Sequence, residues 1–235
     1  MSRAVAIIPA RGGSKRIPRK NVKLFFGKPM IAWSIEAALR TGLFSNVVVS
    51  TDDDEIAETA VRYGATVPFR RPEHLANDHT PTVPVIGHAI DELEGLGWSF
   101  DAVCCIYATA PFITVADLKE GFGQITSKLD AEFVISVTVF SFPIMRSVKI
   151  AGDGALKMFW PEHETTRSQD LEHAYHDAGQ FYWGTKKAFK TRQGFFSARA
   201  YPIVLPNYRV LDIDTDQDWQ RAEKLFQLIR HEISV

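Results

Sequence analysis

Short apolar runs alternate with amphipathic stretches along most of this chain. Residues 4–9, 46–50, 66–69, 102–107, 133–140 and 209–213 read as strands, and helical periodicity fills most of the intervals. Pro29 stands in the first turn of one helix, where Met30, Ile31, Trp33, Ile35, Ala38 and Leu39 recur with a period of about 3.6 residues before Gly42 ends it. A second helix follows Thr51-Asp52-Asp53 and stops at Gly64, and a third covers about 82–94. Thr215-Asp216-Gln217-Asp218 opens the last helix as a capping sequence with acids in its first turn, which makes Asp216 and Asp218 structural. Strands alternating with helices predict an α/β fold, a Rossmann-like three-layer sandwich whose mostly parallel sheet is covered on both faces.

The alternation breaks between about Phe140 and Trp183. Ser147–Ile150, the turn Ala151-Gly152-Asp153-Gly154 and Ala155–Trp160 read as a β-hairpin, followed by a polar stretch to Tyr175. Its apolar residues, among them Ile144, Val148, Ile150, Leu156, Met158, Phe159 and Trp160, cannot all be covered by the parent sheet. Either a surface excursion or an interface with a second copy satisfies that pattern.

Composition sets the outer bounds. With 235 residues, 46% hydrophobic and 23% charged, the chain can bury one sizeable core. The net charge of −1 conceals segregation: eight of the 27 Lys and Arg residues fall within the first 28 positions, and no acid precedes Glu36. Arg3 is followed only by the short apolar run 4–10, and no stretch approaches the ~20 residues of a membrane span, so a cytoplasmic protein without membrane contact is expected. Cys104 and Cys105 are neighbours on a strand, point to opposite faces and read as buried thiols. The histidines form no metal-binding spacing.

The basic run Arg11–Asn21 follows directly on the first strand, where open α/β sheets bind ligands. A dinucleotide fingerprint is excluded because Gly12 and Gly13 are adjacent and Pro18 interrupts any early helix. A P-loop is excluded because Gly27-Lys28 precedes Pro29 and has Val22 at the first glycine position. What remains is a loop whose glycines let backbone N–H groups approach an anion, with Arg11, Ser14, Lys15, Lys20 and Asn21 as further donors. Nucleotide polyphosphate is the expected ligand. Nucleic acid fits less well, because these cations sit in one loop without interleaved aromatics.

Near the C-terminus the sign reverses. Asp212 and Asp214 are two apart on a predicted strand, so they share a face and can reach one hard cation, with magnesium the candidate. Standing alone, they would also read as a strand-end turn.

The basic loop resembles the signature of the cytidylyltransferases that activate nonulosonic, sialic-acid-like sugars as CMP conjugates. Val49-Ser50-Thr51-Asp52-Asp53, Arg71–Asp78, Tyr107–Phe112 and Leu211–Thr215 resemble further blocks of that family, in family order, over nearly the whole chain. Arg167–Leu171 and Tyr175–Trp183 look most like its pseudaminic acid branch. The resemblance implies one cytidylyltransferase domain over residues 1–235, with 140–183 an insertion that dimerises and reaches the partner's active site. It implies CTP and a nonulosonic acid as substrates, pseudaminic acid first and legionaminic or N-acetylneuraminic acid as alternatives. A noncatalytic nucleotide-binding protein is the reading from another class, and the pairing of basic loop with Asp212 and Asp214 argues against it.

The same resemblance assigns the site. Arg11, Lys15 and Lys20 would neutralise the triphosphate, with Asp212 and Asp214 holding the metal. Arg71, Asn77, Asp78 and Thr82 match positions around the base and ribose, and Thr109 matches a strand-end contact to the sugar, although the family more often has glutamine nearby. For the sugar carboxylate, Arg167 is the first choice and Arg146 the second, because a planar guanidinium donates to both oxygens at once. Gln180 and Tyr182 would meet the sugar's N-acyl and hydroxyl groups, with Phe181 and Trp183 turned into the core.

Overall fold

β1 (Ala4–Pro9) is buried on both faces over Ala4–Ile8. The computed structural model describes residues 3–197 and 199–233. After β1 come two short strands, β2 (Leu24–Phe25) and β3 (Lys28–Pro29), then α1 (Met30–Thr41), β4 (Phe44–Ser50), α2 (Asp54–Arg62) and α3 (Thr82–Gly95). The second half holds β5 (Ala102–Ile106), α4 (Val115–Ser127), β6 (Phe133–Val139), the hairpin β7 (Val148–Ile150) and β8 (Leu156–Met158), β9 (Tyr175–Thr185), α5 (Lys186–Thr191), β10 (Ala200–Val204) and α6 (Asp216–Ile233).

Six strands form one sheet in the order β10-β6-β9-β5-β1-β4. β1 pairs in parallel with β4 and β5, and β10 with β6, while β9 runs antiparallel between β5 and β6. The expected mostly parallel α/β sandwich is therefore the fold. Alternate residues of β1 enter opposite cores: Ala4, Ala6 and Ile8 pack with α1, Val5 and Ile7 with α3. A third apolar cluster joins Phe25, Met30, Ile213, Trp219 and Phe226, fixing α6 beside α1.

Local signals set most helix ends. Gly42 closes α1 in the left-handed region at φ 66°, which only glycine adopts without strain. The Asp53 carboxylate accepts from the Ile56 amide at 2.9 Å to open α2. Thr215 and Asp218 cap α6 reciprocally, with the Thr215 amide donating to Asp218 at 2.9 Å and the Asp218 amide donating to Thr215 Oγ1 at 3.2 Å. The structural reading of Asp218 therefore holds; Asp216 lies 3.8 Å from the Lys23 ammonium.

Three expectations need correction. Residues 66–69 form no strand; Thr66 makes a lone bridge to Val48 at the sheet edge. Residues 209–213 form none either, because the place beside β6 is taken by β10, and Ile213 is drawn instead into the aromatic cluster under α6. The excursion after β6 ends at Tyr175, short of Trp183, because 175–185 pairs within the main sheet as β9. Its hairpin does form as predicted, and it leaves Phe142, Ile150, Leu156 and Phe159 exposed.

Candidate active site

The ends of β1 and β5 open into a cleft of about 240 Å³ lined by Arg11, Ser14, Lys15, Arg16, Lys20, Asn21, Arg71, Thr80, Thr82, Tyr107, Thr109 and Asp214, among others. Position follows from topology: parallel strands point their C-terminal ends to one edge, and loops leaving that edge make the site. Nine residues expected from sequence thus share one concavity, and Arg16, Thr80 and Tyr107 are lining residues that sequence reasoning missed.

The basic loop is braced from outside the cleft. Arg19 takes a left-handed backbone at φ 56° and donates to both oxygens of Asp53 at 2.5 and 2.9 Å. That pair raises the guanidinium pKa and holds the Asp53 carboxyl below the usual range. A Cβ at Gly12 would come within 2.7 Å of the Asp53 carboxylate, so glycine is required there by close approach. The Gly12 amide donates to Asp52 at 3.0 Å, which turns it to α2's entry and away from the anion role expected of it. Gly13 meets nothing within 4 Å of a built Cβ. Asn21 is buried and donates to the Arg11 carbonyl at 3.0 Å, closing the loop on itself.

Two further carboxylates hold four more of the loop's cations. Asp78 lies 2.5 Å from Arg11 and 2.5 Å from Lys15, and Asp214 lies 2.6 Å from Arg16 and 3.1 Å from Lys20. Asp212 is on the same extended segment, with Ile213 turned inward between the two acids. No hydrogen bond or ion pair satisfies Asp212 among the described residues; partial desolvation and then the neighbouring Asp214 charge raise its pKa.

Arg71 forms the floor. It is buried, donates through Nε to Ser50 Oγ at 3.1 Å and also to the Ser50 carbonyl, and pairs with no carboxylate among the described residues. Burial lowers its pKa to about 10, opposed by Asp52 and reinforced by Arg11. A buried, unpaired guanidinium in a cleft suits a ligand bearing acceptors. Beside it the Thr82 hydroxyl is 2.9 Å from that of Tyr107.

Five expected residues lie elsewhere. Asn77 ties its own turn, donating to the His74 carbonyl at 2.7 Å and accepting from the His79 amide at 2.8 Å. Gln180 and Tyr182 alternate with Phe181 and Trp183 as expected, but β9 is covered on both faces and all four are buried. Gln180 donates to the Arg209 carbonyl at 2.7 Å, and Tyr182 donates to Asp177 at 2.8 Å while stacking on Phe195. Arg167 sits exposed in the excursion, outside the cleft, and Arg146 lies 3.4 Å from Ser168 there. Sequence reasoning also missed the buried Arg209–Asp117 pair at 2.6 Å, which anchors the chain just before Asp212.

Comparison with known proteins bears on this cleft. The chain is 44% identical over 228 residues to the pseudaminic acid cytidylyltransferase of Campylobacter jejuni subsp. jejuni serotype O:2, covering 97% of both chains. It is 35% identical over 233 residues to the CMP-N,N'-diacetyllegionaminic acid synthase of Legionella pneumophila, covering 96% of this chain and 97% of the relative. Among solved structures, CMP:2-keto-3-deoxy-manno-octonic acid synthetase complexed with CTP shares the fold at a TM-score of 0.71 and 17% identity, over 97% of this chain and 99% of that one. Among the described residues no helix is long and apolar enough to cross a membrane. The cytidylyltransferase family profile matches residues 5–232, and with a basic loop and an acidic segment meeting across one cleft, the chain belongs to the cytidylyltransferase family.

Proposed function

We propose that this protein transfers CMP from CTP to the anomeric hydroxyl of pseudaminic acid. The observation that carries the substrate choice is the end-to-end similarity to pseudaminic acid cytidylyltransferase, at 44% identity. In this reading Arg11, Lys15 and Lys20 bind the triphosphate, Ser14 adds a hydroxyl donor, and Asn21 keeps the loop in shape. Arg71 and Thr82 contact the cytidine, and Thr109 faces the sugar.

The sugar's anomeric oxygen attacks the α-phosphorus in line. The bond to the bridging oxygen breaks, pyrophosphate departs, and the hydroxyl proton passes to solvent. Positioning and charge stabilisation supply the rate, so the reaction needs no dedicated side-chain base. Asp212 and Asp214 are the residues that would hold magnesium. Their oxygen-only donor set suits a hard cation; Asp212 has no hydrogen-bond or ion-pair partner among the described residues, and the Asp214 carboxylate, held by Arg16 and Lys20, would exchange those contacts for the ion. Magnesium, when bound, supplies charge neutralisation at the phosphates.

A homodimer fits the exposed Phe142, Ile150, Leu156 and Phe159 of the excursion. In it Arg167 would reach the neighbouring cleft and pair with the sugar carboxylate. Two free, buried cysteines are compatible with a reducing cytoplasm. Pyrophosphate release from CTP, measured against a panel of nonulosonic acids, tests the function. Preference for pseudaminic acid is the expected result; preference for a legionaminic acid would keep the chemistry and change the substrate, and no release with any acid would reject the reading.

A further inference from the structure

Four cations that line the cleft, Arg11, Lys15, Arg16 and Lys20, are already engaged by carboxylates, whereas Arg71 pairs with none among the described residues. Arg11 and Lys15 converge on Asp78 at 2.5 Å each, from a turn that Asn77 frames by hydrogen bonds of 2.7 and 2.8 Å to its own backbone neighbours. A carboxylate and a phosphate offer guanidinium and ammonium groups the same kind of partner, a compact anion with several acceptor oxygens. Asp78 therefore stands where a phosphate oxygen would have to stand to use both cations. Neither ion pair is sealed from water: the side chains of Arg11 and Asp78 are each 34% exposed and that of Lys15 is 79% exposed. Such contacts are weak enough to exchange.

We propose that Asp78 is a specificity-determining counter-anion, which occupies the phosphate-binding cations Arg11 and Lys15 until a polyphosphate displaces it. This rests on the reading of the cleft as a triphosphate site, and it gives Asp78 a role distinct from contact with base or ribose. A ligand with several phosphate charges outcompetes one carboxylate; a nucleoside does not engage the two cations at all. Asp78 thus sets a charge threshold for entry. It also returns to Arg11 and Lys15 as pyrophosphate leaves, which lowers the affinity for that product.

The test is calorimetric titration of the full chain with tripolyphosphate and with CTP in the absence of divalent cations, and with cytidine as the uncharged probe. Asp78→Asn keeps the shape of the side chain and removes its charge. It should tighten tripolyphosphate and CTP binding by about threefold or more, the range set by exposed ion pairs, leave cytidine binding unchanged, and slow pyrophosphate dissociation. Asp78→Ser should behave alike, and the gain should shrink in a Lys15→Met background, where one of the competing contacts is gone. Equal or weaker tripolyphosphate binding by both folded variants would overturn the proposal, as would loss of cytidine affinity, which would make Asp78 a nucleoside contact. If wild type binds CTP normally and only the gain is missing, the triphosphate site stands and the counter-anion role falls; if wild type binds neither CTP nor tripolyphosphate, both fall.

Discussion

The Lys20 ammonium donates to the Ile213 carbonyl at 2.7 Å, joining residues 193 positions apart. The same nitrogen is 3.1 Å from Asp214. One half-buried lysine therefore fixes the distance between the loop that would hold the triphosphate and the acids that would hold the metal. Substrate charge and metal charge would be brought together by a contact that neither segment makes locally.

Asp212→Ala and Asp214→Ala should each lower turnover by about 100-fold or more, the scale of losing a group that stabilises charge in the transition state. Fold and part of the CTP affinity should survive, because Asp212 is exposed and Asp214 is half-buried, so neither belongs to the core. Asp218→Ala should cost stability, by about 1 kcal/mol for a lost cap, with little effect on turnover. Steady-state pyrophosphate release and thermal melts on the three variants separate these outcomes; near-normal turnover in both cleft variants would refute the metal assignment.

Lys20→Ala should harm CTP use more than Lys15→Ala. The Lys20 side chain is 17% exposed and braced on Ile213, whereas that of Lys15 is 79% exposed and free to be replaced by solvent ions. Wild-type protein should release an oligonucleotide at physiological salt, where a few counterion-driven contacts dissociate. CTP titrations and a filter-binding salt series measure the two effects. Salt-resistant oligonucleotide binding without pyrophosphate release would count decisively against the nucleotidyl-transfer reading.

Asp117→Asn should destabilise the fold by about 3–5 kcal/mol, the usual result of stranding one partner of a buried ion pair. Arg209 has its guanidinium on Asp117 at 2.6 and 3.0 Å and its carbonyl on Gln180 at 2.7 Å. With that anchor weakened, the following segment to Asp214 should also loosen. Denaturant unfolding reads the first effect and amide exchange at Ile213 the second.

Glu94 gives a pH signature far from the cleft. Lys186 and Lys190 clamp it across α3 and α5, at 2.7 and 2.8 Å, and hold its pKa down to about 2 from an ordinary 4.5. A depressed carboxylate pKa contributes stability that is complete above 4.5 and disappears as pH falls toward 2. Glu94→Gln should therefore lower the melting temperature at pH 7, with the gap to wild type closing in acid. A gap independent of pH would refute the linkage.

The proposed homodimer makes a mixing prediction. Arg167→Ala and Asp212→Ala proteins should each be inactive alone, and their heterodimer should recover one intact site if Arg167 serves the neighbouring cleft. Subunit exchange is verified first with a labelled copy. No recovery despite exchange would mean that Arg167 acts within its own chain or has no role in the reaction.

Sequence by itself determined the local parts. β1, the ends of α1 and α2, the hairpin of the excursion and the Thr215–Asp218 cap were legible because alternation, periodicity and caps are written within a few residues of one another. The basic loop was legible for the same reason, and so was the opposition of Asp212 and Asp214 to it. Only the tertiary structure decided which strands became neighbours. Residues 209–213 alternate like a strand, yet β10 occupies the place beside β6 and Ile213 is drawn under α6. Gln180 and Tyr182 alternate like cleft residues, yet β9 lies between β5 and β6 with both faces covered, and they serve Arg209 and Asp177 instead. The pairing of Asp78 with Arg11 and Lys15, and of Lys20 with Ile213, was likewise invisible. A side chain's partner across the fold depends on strand order and on competition for buried surface, and neither quantity is contained in the few residues on either side of it.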